Sequence, residues 1–85
     1  MNLYSLRDVK LGTYAPPMCY HNDGVAVREL GDYLEAQDSP FRKHPYDYDL
    51  YQVGEWNEQT AQLKQLDTPR HVVCVATITE GWATK

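Results

Sequence analysis

Basic residues are in short supply. Eight Lys and Arg stand against twelve Asp and Glu, a formal net charge of -4. Coating a phosphate backbone by bulk charge needs clustered cations, so that mode of nucleic-acid binding is excluded. Long apolar runs are missing as well, and nothing approaches the roughly 20 residues of a membrane-spanning helix. The opening Met1-Asn2-Leu3-Tyr4-Ser5 lacks the apolar core of a secretory signal. The only cysteines are Cys19 and Cys74, too few for a disulfide framework. These absences predict a cytosolic chain with reduced thiols and no membrane segment. There is also no glycine-rich phosphate loop, since Gly24 and Gly31 fit neither nucleotide-binding spacing. Ser5 and Ser39 have no neighbouring pattern of an activated nucleophile.

What is abundant is tyrosine. The 85 residues hold seven tyrosines, two tryptophans and one phenylalanine. A chain of this length makes one domain with a thin core. Seven phenolic hydroxyls cannot all be buried and satisfied in it, so several rings belong at a surface or interface. The charge is uneven. Residues 46–67 carry Asp47, Asp49, Glu55, Glu58 and Asp67 against Lys64 alone. Arg7, Lys10, Arg28, Arg42 and Lys43 all precede them.

The pattern of apolar residues predicts an α+β domain. A first strand covers Asn2 to Val9. Gly12 and Pro16-Pro17 make a loop of residues 10–21. A helix follows over residues 23–36, capped by Asn22 or Asp23, with Ala26, Leu30, Tyr33 and Leu34 on one face. Gly31 lies inside it. Pro40 and Pro45 punctuate a second loop. Strands are then expected over residues 49–56, 61–66 and 71–79, the first two joined by a turn at Asn57-Glu58-Gln59-Thr60. The last run, apolar on both faces, is expected at the centre of the sheet. The predicted architecture is about four mostly antiparallel strands with one helix on a face, in the order β-α-β-β-β. Residues 1–80 form the domain and 81–85 a tail anchored by Trp82.

Catalytic and metal chemistry find little purchase. Cys19-x-His21 and His71-x-x-Cys74 supply the ligand types of a tetrahedral zinc site. The single residue between Cys19 and His21 is tighter than common zinc spacings, and Cys74 reads equally well as a core residue. Asp47 and Asp49 point the same way on a strand, but in a solvated stretch nothing separates their acidities. The expectation is no enzyme, no metal and no cofactor.

Two segments suit binding. Phe41-Arg42-Lys43-His44-Pro45-Tyr46 interleaves cations with rings, the combination that holds single-stranded DNA by stacking beside phosphate contacts. The plainer alternative is a loop whose Phe41 plugs the core while the cations stay in water. Tyr46, Tyr48, Tyr51 and Trp56 alternate with carboxylates, and such rings are favoured at protein interfaces. With a thin core, this predicts a homodimer.

Four stretches carry a resemblance that spans most of the chain. They are Leu3-Tyr4-Ser5-Leu6-Arg7-Asp8-Val9-Lys10, Pro16-Pro17, Asn22-Asp23-Gly24-Val25-Ala26-Val27-Arg28, and His44-Pro45-x-Asp47-Tyr48-x-Leu50-Tyr51-x-x-Gly54-x-Trp56. The chain resembles the small nonstructural protein of gokushoviruses, the tailless single-stranded DNA phages of the Microviridae. That resemblance implies a non-enzymatic factor of single-stranded genome synthesis or packaging in the host cytoplasm, and brings no catalytic residue. Arg7, Lys10, Arg28, Arg42, Lys43 and His44 are then the candidate phosphate contacts, with Phe41 and Tyr46 as stacking rings. The alternative is a dimeric module that docks on the replication initiator or the capsid through Tyr46, Tyr48, Tyr51 and Trp56.

Overall fold

The computed structural model describes residues 1–36 and 38–81. In chain order they form β1 (Asn2–Asp8), β2 (Thr13–Tyr14), β3 (Met18–Tyr20), α1 (Asp23–Ala36), α2 (Pro40–Lys43), a short 3-10 turn (Pro45–Asp47), β4 (Tyr48–Asn57), β5 (Gln62–Cys74) and α3 (Val75–Gly81). The sheet is antiparallel throughout. β1 is central. It pairs with β4 on one side, and on the other with β2 and β3 end to end. β5 lies outside β4.

Pleating sends alternate residues to opposite faces. Tyr4 and Leu6 of β1 and Leu50 of β4 meet Ala26, Leu30 and Leu34 of α1 and Val75 of α3 in one core. Ala26, Leu30 and Leu34 lie four residues apart, one helical stripe. Fully burying a leucine such as Leu34 or Leu50 contributes roughly 1.5–3 kcal/mol. Phe41 of α2 and Ile78 of α3 pack on the same cluster. All three helices therefore cover one face, and the other is left without a helix among the described residues.

A polar clamp sets where α1 sits. Asn22 caps it, its side-chain oxygen accepting the Val25 N–H at 2.9 Å. Asp23 is thereby free to look toward the sheet. Arg70 of β5 donates to both its carboxylate oxygens, at 2.7 and 3.0 Å. The hydroxyl of Tyr4, whose ring is fully buried, donates to the same carboxylate at 2.7 Å. Arg70 also donates through Nε to Gln52 Oε1 of β4 at 2.9 Å. The helix start is thus tied to β1, β4 and β5 together. Arg70 first, and the Tyr4 hydroxyl second, hold the Asp23 carboxyl below its usual range.

The α+β class with an antiparallel sheet and one main helix stands, but the β-α-β-β-β order does not. The loop expected over residues 10–21 contains β2 and β3, edge strands separated by Pro16-Pro17. The strands expected over 61–66 and 71–79 are one strand, β5, which ends at Cys74. Pro69 does not interrupt it, because β5 is an edge strand and bulges there. Gln52 faces Arg70 and Gly54 faces Gln65, so five steps along β5 span two along β4. Nor is the last apolar run central. Val75 onward turns into α3, where Val75 and Ala76 are buried and Ile78 packs on the core. A short apolar run does not by itself distinguish strand from helix, and here packing overrides the β-branched residues. Tyr33, expected on the buried face of α1, is 44% exposed. Of the tail expected over residues 81–85, Gly81 ends α3 instead, and residues 82–85, Trp82 included, lie outside the described residues.

Both hairpins turn by the same device. After β1, Asp8 Oδ1 accepts the N–H groups of Lys10 and Leu11, and Gly12 N–H donates to the Asp8 carbonyl. After β4, Asn57 Oδ1 accepts the N–H groups of Gln59 and Thr60, and Ala61 N–H donates to the Asn57 carbonyl. The fifth residue is left-handed in each, Gly12 at φ 72° and Ala61 at φ 62°. Glycine adopts that conformation freely, whereas alanine does so at a cost. Gly54 also favours glycine, for a different reason: a Cβ there would lie 2.7 Å from the Lys64 carbonyl oxygen of the paired strand.

Exchanging glycine and alanine should therefore act with opposite signs at these two positions. Ala61→Gly is expected to raise unfolding stability by about 0.5–1 kcal/mol, and Gly54→Ala to lower it by about 1–3 kcal/mol, both read by chemical denaturation. Equal effects would contradict the turn and close-approach arguments. A second expectation concerns acid. The folded carboxyl of Asp23 is depressed, so its stabilisation is complete above about pH 4, the ordinary carboxylate value, and is lost as pH falls through the folded value. Asp23→Asn should cost about 1 kcal/mol at pH 6, a figure already reduced for the pair's exposure. Its stability should converge with the parent's on acidification. A gap that persists unchanged to pH 2 would show that the Asp23 charge is not what holds the helix.

Candidate nucleic-acid interface

The uncovered face of the sheet carries a row of rings. Register places Arg7 opposite Tyr14 and Asp49, Ser5 opposite Tyr51, and Tyr51 opposite His71. Directly opposed residues project from the same face, which brings side chains from β2, β1, β4 and β5 together. Tyr14 and Tyr51 meet edge to face with ring centres 5.6 Å apart, and Tyr51 meets His71 likewise at 5.3 Å. These are the geometries that ring quadrupoles favour. The Arg7 guanidinium lies over the Tyr14 ring at 5.7 Å. At the other end, His71 Nε2 is 3.0 Å from Asp49 Oδ1. Tyr14 is 44% exposed, and the His71 side chain 52%.

This arrangement joins aromatic rings, one guanidinium and a His–carboxylate pair on one open face. Exposed rings on an open sheet beside a cation are the general ingredients of a surface that stacks unpaired bases. The Ser5 hydroxyl is occupied, donating to the Ala15 carbonyl at 2.6 Å.

The basic loop is built differently. Phe41 plugs the core side, edge to face with Tyr48 at 4.8 Å and near Tyr33 at 6.3 Å. Arg42 reaches the Glu35 carbonyl at 3.5 Å, and Lys43 lies 3.8 Å from Asp38. The His44 N–H closes α2 on the Pro40 carbonyl. Tyr46 is 71% exposed in the 3-10 turn, and its hydroxyl donates to Glu80 of α3. That hydrogen bond, above all, raises the phenol's pKa above its ordinary value. Lys10 is on the β1–β2 turn, and Arg28 is on α1 beside Glu29. Of the sequence-derived phosphate contacts, only Arg7 belongs to the ring row. Arg28, Arg42 and Lys43 are on the helices of the opposite face.

The tyrosine ladder is likewise divided. Tyr48 turns to the helices, where desolvation first and the Asp8 and Asp47 charges next push its phenol up. Tyr51 turns to the open face. Trp56 is at the far end of β4, where its backbone exchanges hydrogen bonds with Met1. Tyr46, Tyr48, Tyr51 and Trp56 therefore do not form one surface. The four zinc-type residues are also kept apart. Cys19 and His21 are at the β3 edge and His71 and Cys74 on β5. Three strand spacings, roughly 14 Å, separate these edges.

Sequence reasoning missed Tyr14 and His71 as partners of Tyr51. Tyr14 falls in a stretch that reads as a loop, and His71 reads as a zinc-type ligand or as the exposed start of the last strand. The signal that unites them is strand register, which no local pattern carries.

A family model described as Phage ORF5 protein matches residues 1–78. No curated protein and no solved structure gives a match.

Proposed function

The chain belongs to the Phage ORF5 protein family, and from that premise we propose that it is a non-enzymatic accessory factor of a single-stranded DNA phage, acting in genome synthesis or packaging in the host cytoplasm and contacting single-stranded DNA through the open sheet face. The observation that carries the DNA contact is the Tyr14–Tyr51–His71 row with Arg7 at its end. Stacking tolerates any sequence, because every base has a π-face, and its energy comes from ring contact beside whatever cations line the groove. This suits a chain of net charge -4. The assignment to gokushoviruses within the Microviridae rests on the spaced run from His44 to Trp56.

The second reading is a docking module for the replication initiator or the capsid, with no DNA contact. The acidic balance and the paired state of Lys43 and Arg42 favour it.

Titration of a fluorescent oligonucleotide at low salt separates the two. On the DNA reading, Tyr14→Ala and Tyr51→Ala each weaken binding by about 1–3 kcal/mol. Arg7→Gln lowers the slope of log affinity against log salt by about 0.7. Arg42→Ala with Lys43→Ala leaves affinity close to the parent's. If that loop pair abolishes binding while the ring variants do not, the contact is the loop and not the sheet. An absence of binding at low salt favours the docking module.

A further inference from the structure

One flank of α1 is uncovered. α3 packs along the other, where Ile78 comes within 3.6 Å of the position a Cβ at Gly31 would take. On the free flank Glu29, Leu30 and Tyr33 form one wall of an apolar cleft of about 290 Å³. Pro16 and Met18 of the β2–β3 edge form the opposite wall, and core residues Leu6 and Leu50 reach its floor. The cleft stays open because β3 is only three residues long and the segment before it is the small Ala15 and two prolines. Its volume is at the lower end for ligand pockets, and it lacks the convergent polar groups that orient a small molecule. It suits one or two apolar side chains. Glu29 is the one charged residue on its wall, and its contact with Arg28 is long at 3.8 Å and exposed. An occupant with a cation beside its apolar group is therefore favoured.

The β1–β2 turn presents that combination. Leu11 is 74% exposed at its tip, and Val9 is 45% exposed beside it. Lys10 stands between them and makes no ion pair among the described residues. The turn is stiff, because Asp8 holds the N–H groups of Lys10, Leu11 and Gly12 and the Val9 N–H donates to Asp47. A preorganised apolar tip loses little freedom on docking.

We propose that the protein self-associates by seating the Lys10-Leu11 turn of one copy in the α1 cleft of a second copy, with Lys10 against Glu29. This goes beyond the DNA reading and stands independently of it. Both sheet edges are interrupted by proline, so the contact is made by side chains and not by strand addition.

Sedimentation equilibrium across a concentration series tests it on the intact chain. The parent should rise above protomer mass with concentration. Leu11→Ser, an exposed change that leaves the melting curve intact, should weaken association roughly tenfold or more. Lys10→Glu and Glu29→Lys should each weaken it, and the double variant should recover most of the loss. A parent that stays monomeric up to millimolar concentration overturns the proposal. So does association indifferent to Leu11, or charge reversals whose effects add instead of cancelling. Oligonucleotide binding by Leu11→Ser is measured in parallel, so that loss of association and loss of DNA contact remain distinct results.

Discussion

The carboxylate of Asp23 holds the molecule's two layers in register. It receives Arg70 from the outermost strand and Tyr4 from the central one, at the first turn of α1. Tyr4 is fully buried, and its hydroxyl would be costly there without a partner. Burial, first, and the nearby Asp23 carboxylate raise that phenol's pKa, so it stays protonated and donates. Arg70 in turn orders Gln52, whose amide reaches the Gly54 carbonyl at 3.3 Å. One chain of polar contacts thus fixes the helix angle, the β4–β5 pairing and the close approach at Gly54. Because α1 is held on one side of the sheet, the ring row on the other side stays uncovered.

The same constraint explains the edges. β5 must bulge at residues 66–69 for Arg70 to stand opposite Gln52. That bulge, with Pro69, breaks the outer row of backbone donors and acceptors. Pro16-Pro17 breaks the other edge between β2 and β3. Open edges template aggregation, and bulges and prolines blunt them. A sheet guarded at both edges is left with its uncovered face and its side-chain surfaces as the places open to contact.

Much of the fold could be read along the chain. The helix and its cap at Asn22 or Asp23, the turn at Asn57 and the strand from Asp49 to Trp56 are local features, set by periodicity and turn chemistry; the structure selects Asn22 as the cap. What escaped was non-local. The run from Val75 to Thr79 is rich in β-branched residues, yet it is helical because that geometry puts Val75, Ala76 and Ile78 on the core. Pro69 read as a break because its position on an edge was unknown. The candidate site was legible only in Arg7 and Tyr51. Tyr14 joins them through pairing with β1, and His71 through pairing with β4.

The sequence by itself determined the class of the domain, its one main helix, its place in a phage protein family and its acidic balance. These follow from composition, spacing and residue-to-residue pattern. Tertiary structure decided which tyrosines share a face, which cations stand beside rings, and that Cys19 and His21 lie far from His71 and Cys74. Those are matters of strand register and of the side on which α1 is clamped. A shift of one residue in register would send every ring of the row to the opposite face.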